Sequence, residues 1–229
     1  MNEIANIWNH LDWSVPLRLI LSVVPSLLCI TLHELSHGYV AYRLGDPTAK
    51  NAGRLTLNPI RHIDPMGLLM MVVFHFGWAK PVPVNMYRFQ NPRRDMALTA
   101  LAGPPANLVI GIVFLFLYGL LYTPLYAAGA WSWLLETVYL TAHLSLALMV
   151  FNILPISPLD GSKVLYSFLP DQAYETLMRY ERYGMLILFA LVATDILGSP
   201  LSAATGWVTD KLFVFAQWGF DLYKVLANV

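Results

Sequence analysis

His33-Glu34-Leu35-Ser36-His37 lies inside residues 19–41, a run that is otherwise apolar. On an α-helix, two histidines four residues apart share one face, where both imidazoles can hold a tetrahedral zinc ion while Glu34 reaches a water on the metal. Histidine and glutamate are costly in an apolar helix of membrane length unless they have partners or a function. The stretch therefore predicts a metal site inside a membrane-spanning helix, rather than a polar packing network between helices.

The composition is that of an integral membrane protein. Of the 229 residues, 57% are hydrophobic and 12% are charged, whereas soluble domains carry about 25% charged residues. The formal net charge is zero, so nothing indicates a nucleic-acid partner. Residues 1–16 contain no lysine or arginine and therefore lack the basic segment of a signal peptide. We expect one domain over residues 1–229, with a core at 16–182 and C-terminal helices at 183–229.

Apolar runs of membrane length predict about four to five transmembrane helices. The predicted spans are residues 16–42, 96–122, 131–153 and 185–197, with a last helix at 207–226 that crosses the membrane or lies in its interface. Basic residues follow the first span, whereas mainly acidic residues precede it. By the positive-inside rule, the amino terminus is outside. The histidines then lie about 10 Å inside the cytoplasmic face, at about 1.5 Å per residue.

A re-entrant β-hairpin or loop is predicted between the first two spans. Residues 67–78 form an apolar run that is too short to cross the membrane, and basic residues lie on both sides of it. Alternation at residues 54–57 predicts a strand, and residues 80–85 predict a second extended piece that its prolines confine to an edge. Irregular backbone at membrane depth is stable only against protein or a water-filled cavity, so we expect this piece beside the metal site. The predicted fold class is an all-α polytopic membrane protein with this re-entrant piece.

A catalytic zinc ion usually has three protein ligands, and Asp160 is the candidate for the third. Pro155 and Pro158 stop the third span and present Asp160 from an irregular segment near the depth of the histidines. A buried carboxylate also needs a cation. Two alternatives stay open: Asp160 could cap the helix that begins near Gly161, and His143 in the third span could be the ligand. The other histidines are expected to be structural or to lie on the wrong side of the membrane: His10, His62 and His75.

The ordered motifs resemble the site-2 protease family of intramembrane zinc metalloproteases, in its compact prokaryotic branch without a PDZ or CBS domain. The resemblance rests on residues 33–37, on Gly103 to Asn107 in the next span, and on residues 152–155 leading to Leu159-Asp160-Gly161. Residues 53–59 and 77–84 look like the compact branch. Met86 and Ser157 depart from its pattern, because proline is expected at both positions.

The resemblance implies one zinc ion per chain on His33, His37 and Asp160, with Glu34 as the general base. It also implies cleavage within or near the transmembrane helix of a single-span membrane protein, usually one already trimmed by a first protease. A peptide unwound in lipid must find hydrogen bonds at once, and a strand edge or an amide can supply them. The substrate-binding residues would then be those of the predicted strand and two amides: Leu55, Thr56, Leu57, Asn107 and Asn152.

A second function, from a different class, also fits these residues. The alternative is a non-proteolytic zinc-binding membrane protein, either a transporter or a scaffold. It predicts a metal held by four protein ligands, or a polar path that reaches the outside loop. In either case we expect a multi-pass protein of the lipid bilayer, in the inner membrane if the source is bacterial. Formation of a homo-oligomer is left open.

Overall fold

The computed structural model describes residues 14–74, 78–127 and 132–228, and within these ranges the chain is α-helical without a strand. The all-α part of the predicted fold class is therefore confirmed for the described residues. The helices are α1 (Ser14–Arg43), α2 (Thr48–Asn51), α3 (Pro65–Phe74), α4 (Pro92–Ala100), α5 (Gly103–Ala127), α6 (Ser132–Ile153), α7 (Asp160–Ser167), α8 (Asp171–Ala193), α9 (Gly198–Leu212) and α10 (Val214–Ala227). Two short 3-10 turns lie at Pro59–His62 and Met86–Arg88.

Two stretches of helix among the described residues are long and apolar enough to cross a membrane: Pro92–Tyr126, which joins α4 to α5, and Trp133–Ile153. A third is added if the bent pair Tyr183–Ala193 and Gly198–Ala227 is counted as one span. Helix α1 is a continuous helix of 30 residues that covers the predicted first span, although Pro25 lies inside it. The predicted number of four to five spans stays a prediction.

Helix α5 is the centre of the bundle, and it packs along α1, α6 and α10. The fully buried side chains where α5, α6 and α10 meet are Leu115, Ala142, Leu146 and Ala216. A Cβ atom on Gly119 would lie only 1.8 Å from the carbonyl oxygen of Ala216. The backbones of α5 and α10 therefore touch, which is the close approach that small residues permit between helices in membranes.

Much of the apolar surface of the bundle is not covered by protein. Only 22% of the apolar window in Pro92–Tyr126 is buried inside the structure. Val109 on α5, for example, is 60% exposed. An apolar belt of this size is suited to lipid rather than to water, in agreement with the composition.

The strand predicted at residues 54–57 is wrong, because these residues form a bend. Side chains hold this bend, and no ladder of backbone hydrogen bonds forms. The Arg54 guanidinium donates to the carbonyl oxygen of Lys80 at 2.6 Å, and the His62 imidazole contacts the carbonyl oxygen of Thr56 at 3.0 Å. Pro81 lacks the N–H that a ladder would need on the facing segment.

The two ends of the predicted re-entrant piece, at residues 62–63 and 79–80, lie against each other. The backbone N–H of Lys80 donates to the carbonyl oxygen of His62 at 2.9 Å, and Ile63 and Ala79 form an isolated antiparallel bridge. Helix α3 lies between these ends, so the chain returns to the place where it left the bundle. This is the geometry that a re-entrant loop needs, whereas a β-hairpin is not formed by the described residues. Residues 75–77 of this piece lie outside the described residues.

Candidate metal centre

Helix α1 places His33 and His37 on one face, one turn apart, as their spacing predicts. Both imidazoles are buried, with 6% and 8% of the residue exposed. Their Nε2 atoms are 3.0 Å apart, and the two rings meet edge to face. Two ring nitrogens therefore point to one place inside the bundle.

Asp160 brings a carboxylate oxygen to the same place. Its Oδ2 atom lies 3.1 Å from Nε2 of His33 and 3.1 Å from Nε2 of His37. Asp160 is the first residue of α7, and neither it nor Leu159 before it makes a side-chain capping hydrogen bond. The alternative that Asp160 caps this helix is therefore wrong, and the carboxylate faces the histidines.

The three atoms fit a metal ion. The ring of His37 contacts the carbonyl oxygen of Thr99 through Nδ1 at 2.7 Å, which requires a proton on Nδ1; in the neutral imidazole, Nε2 then carries the lone pair. Oδ2 of Asp160 is buried without a hydrogen-bond partner. Acceptor atoms this close repel one another unless a cation lies between them, and zinc takes such ligands at about 2.0–2.2 Å. Among the described residues, His33, His37 and Asp160 form the one group of this kind that could hold a metal.

Asn107 lies behind His33 rather than in a cavity. It is fully buried, and its amide contacts Nδ1 of His33 at 3.1 Å. The Ser145 hydroxyl donates to the Asn107 carbonyl oxygen at 2.8 Å, which attaches this part of α5 to α6. The structure therefore places Asn107 as a support of a proposed metal ligand, and Asn107 is not among the residues that line the cavity.

Gly103 allows the imidazole of His33 to lie against the start of α5. A Cβ atom at this position would be 2.4 Å from Cε1 of His33. Thr99, which orients His37, was not singled out from the sequence. The signal that could have found it is Pro104-Pro105: neither proline has an N–H, so the helix is interrupted between α4 and α5 beside Thr99.

Glu34 and the proposed ligands border a cavity of about 340 Å³. The backbone N–H of Val82 donates to Oε2 of Glu34 at 2.8 Å, so this carboxylate is held at the cavity wall. Asn152 also lines the cavity, as predicted for a residue that contacts substrate, and its Nδ2 donates to the carbonyl oxygen of Leu148. The remaining lining comes from residues 81–84, from α4, and from α7 and α8.

The other residues considered from the sequence lie elsewhere. Leu55, Thr56 and Leu57 are not among the cavity-lining residues; the Leu55 side chain lies beside Gly38, and Leu57 is 66% exposed. His143 stacks on the ring of Tyr139 and does not join the group of three. His10 and His75 lie outside the described residues.

Comparison with known proteins agrees with this centre. A sequence model of the family described as "Peptidase family M50" matches residues 22–194. This range includes every residue of the proposed metal site. The chain belongs to peptidase family M50, the site-2 protease family. The predicted resemblance is therefore confirmed at the level of the family.

Relatives of the peptidase occur in bacteria and archaea. It is 39% identical over 176 residues to "Putative zinc metalloprotease YwhC" of Bacillus subtilis, covering 76% of this chain and 80% of that protein. It is 30% identical to "Putative zinc metalloprotease Rip2" of Mycolicibacterium smegmatis, covering 83% and 73% of the two chains. It is also 30% identical to "Putative zinc metalloprotease MJ0611" of Methanocaldococcus jannaschii, covering 71% and 77%. No solved structure is significantly similar to the peptidase.

Proposed function

We propose that this protein is a zinc-dependent endopeptidase that cleaves within or near the transmembrane helix of another membrane protein. One observation carries the proposal: three acceptor atoms from His33, His37 and Asp160 converge to within 3.1 Å, and Glu34 borders the same cavity. Membership of peptidase family M50 and the printed names of the relatives support it.

The three side chains would hold one zinc ion per chain. When bound there, zinc would polarise the scissile carbonyl and lower the pKa of the attacking water. The chain fixes the orientation of both imidazoles from behind: the Thr99 carbonyl oxygen accepts from His37, and the Asn107 amide contacts His33. Such partners set the tautomer of a ligand and strengthen its binding to metal.

Glu34 is the general base. Its Oε2 accepts the Val82 N–H, and among the described residues its carboxylate makes no other hydrogen bond, so Oε1 is free to accept a proton. We propose that the carboxylate takes the proton from the attacking water and passes it to the leaving nitrogen. The Val82 contact holds the base beside the segment along which the substrate lies.

The substrate pairs with residues 82–84 and not with the predicted strand at 54–57. In extended backbone, residues two apart direct their N–H and C=O groups to the same edge, so Val84 shares the edge of Val82 that faces Glu34. No hydrogen bond to the Val82 carbonyl or to the Val84 N–H is formed by the described residues. An unwound substrate can therefore add as a strand at this edge. Asn152 lines the same cavity. One N–H of its Nδ2 donates to the carbonyl oxygen of Leu148, and the second N–H can donate to a substrate carbonyl.

The partners and orientation follow from the same proposal. The substrate proposed from the family resemblance is a single-span membrane protein that a first protease has already trimmed. The amino terminus lies outside and the metal centre lies near the cytoplasmic face, as the basic residues after α1 indicate. The alternative of a closed structural or transport site is less well supported, because a cavity adjoins a group of three ligands.

The test is Glu34→Gln in the purified full-length protein, with a model single-span substrate in detergent. The variant is expected to keep one zinc ion per chain and to lose cleavage by about 10²- to 10⁴-fold, the contribution of a general base. The matched control is His37→Ala, which should lose zinc as well. Zinc is measured by elemental analysis and cleavage by mass spectrometry of the products. Undiminished cleavage by Glu34→Gln would remove this residue from the role of base.

A further inference from the structure

Two charged side chains in the active-site cavity have no role in the chemistry described above. Lys163 lies three residues after Asp160 on α7, so both side chains share one face of this helix. Glu181 lies on the facing helix α8, and both residues line the cavity of about 340 Å³. Each is partly buried.

Neither side chain forms an ion pair with the described side chains. The ion pairs in this part of the protein join other groups, namely Asp160 with the two histidines and Arg93 with Asp171. Lys163 and Glu181 therefore border one cavity with opposite charges but do not neutralise each other. A partly buried ammonium without a partner has a desolvation cost, which an anionic group in the cavity would offset.

The position of Lys163 relative to the metal centre indicates what that anion is. Three residues along a helix correspond to about 4.5 Å of rise, so Lys163 lies about one turn from the carboxylate that completes the metal site. A peptide extended along residues 82–84 and across the metal site would bring its residues next to the scissile bond within reach of the Lys163 side chain. Of the groups on a peptide, a carboxylate is the one that an ammonium binds most strongly.

We propose that Lys163 is a specificity residue that binds a carboxylate of the peptide beside the scissile bond. This proposal rests on the proposed function. The carboxylate has two sources: the side chain of an aspartate or glutamate in the substrate, or the new terminal carboxylate of the product. Glu181, which lines the same cavity, disfavours the same carboxylate, so the two charges set how far the cavity prefers acidic over neutral peptides.

The proposal is tested by binding rather than by turnover, in the full-length Glu34→Gln protein, so that the result does not depend on cleavage. In the first arm, fluorescent apolar peptides carry aspartate or asparagine in turn at each flanking position. In the second arm, product-type peptides end in a free carboxylate or in an amide. With Lys163 present, the acidic member of at least one pair should bind about five- to tenfold tighter than its neutral twin, the effect of a partly solvated charge pair.

Lys163→Gln is expected to bring that ratio to about one, whereas Lys163→Arg should retain it, because a partly solvated cation is replaced by another. Glu181→Gln should increase it. The matched control is Lys211→Gln, which removes an exposed lysine on α9 and should leave the ratio unchanged. The arm that responds identifies the source of the carboxylate.

Equal ratios with and without Lys163, or no acidic preference in either arm, would overturn the proposal. Loss of zinc from Lys163→Gln would overturn it as well, since the residue would then serve the metal centre. Failure of the proposed function is seen separately, as absence of cleavage by the protein with Glu34 intact.

Discussion

The geometry of the metal centre is set by groups that do not touch the metal site. His37 donates to a backbone carbonyl of Thr99, and His33 contacts the amide of the fully buried Asn107. The Oδ1 atom of Asn107 is buried without a partner, while its Nδ2 faces the ring. If His33 carries its proton on Nδ1, as a ligand through Nε2 must, an amide rotated by half a turn presents Oδ1 to accept that proton.

Two substitutions of Asn107 should differ in their effect on zinc affinity. Asn107→Leu keeps the branched shape but removes the acceptor, and zinc affinity should fall by about 10- to 100-fold, as for other partners of metal-bound histidines. Asn107→Asp keeps an acceptor for the Nδ1 proton and should bind zinc within a few-fold of the natural protein. Affinity is measured by competition with a chelator. Equal affinity of the leucine variant would show that Asn107 does not orient His33.

The close packing of His33 against Gly103 leads to a second prediction at the scale of a residue. In Gly103→Ala, the added methyl group would lie 2.4 Å from Cε1 of His33, so the ring must move away from its position. The zinc content of the purified protein should fall well below one ion per chain. Gly206→Ala is the control, because nothing lies within 4 Å of a Cβ atom there. Full zinc occupancy in Gly103→Ala would contradict the close contact.

At the scale of an element, the segment at residues 80–85 lies at the site because three side chains hold it, one from α1, one from the loop between α1 and α2, and one from the bend after α2. Arg54 donates to the carbonyl oxygen of Lys80, Glu34 accepts from Val82, and Asp46 accepts from the backbone N–H of Asn85 at 2.6 Å. Asp46 is fully buried, and its other oxygen accepts from the backbone N–H of Thr48 at the start of α2. An extended segment without a strand partner thus gains a fixed position and keeps a free edge.

Removal of one of these attachments should affect catalysis more than metal binding. Arg54 is 7% exposed, and Arg54→Met removes its bond to Lys80 while it retains an apolar stem. We expect a fall in kcat/KM of about 10- to 150-fold, since the loss of a hydrogen bond to a charged group corresponds to about 1.5–3 kcal/mol. Zinc content should not change. Arg61→Met, at an exposed arginine, is the control, and equal kinetics of the two variants would refute the role of Arg54.

At the scale of the whole molecule, an apolar bundle encloses a polar site. Helix α5 contacts α1, α6 and α10, while an apolar belt on its outer face is left for lipid. The proposed ligands lie in the second half of α1 and at the start of α7, so the metal centre lies towards one end of the bundle. The basic residues after α1 support the proposal that this end faces the cytoplasm.

This orientation is tested by labelling single cysteines in the full-length protein. Cys29 is the one cysteine of the sequence, and its replacement by alanine provides the background. In intact cells, a membrane-impermeant maleimide should label Tyr126→Cys but not Lys50→Cys, because both positions are exposed and lie on opposite sides of the proposed membrane. Lys50→Cys should react once the membrane is opened. The reverse pattern would invert the topology and place the metal centre at the outer face.

The sequence by itself determined the helical class, the extent of α1 and the pairing of His33 with His37, because helix periodicity and apolar length are local properties of the chain. It also indicated Asp160, through the prolines that precede it. Only the tertiary structure decided that Oδ2 of Asp160 meets both imidazoles, that Asn107 and Thr99 stand behind them, and that residues 82–84 rather than 54–57 lie at the cavity. These contacts join residues far apart in the chain, and bonds from a side chain to a distant backbone carbonyl leave no periodic pattern in the sequence.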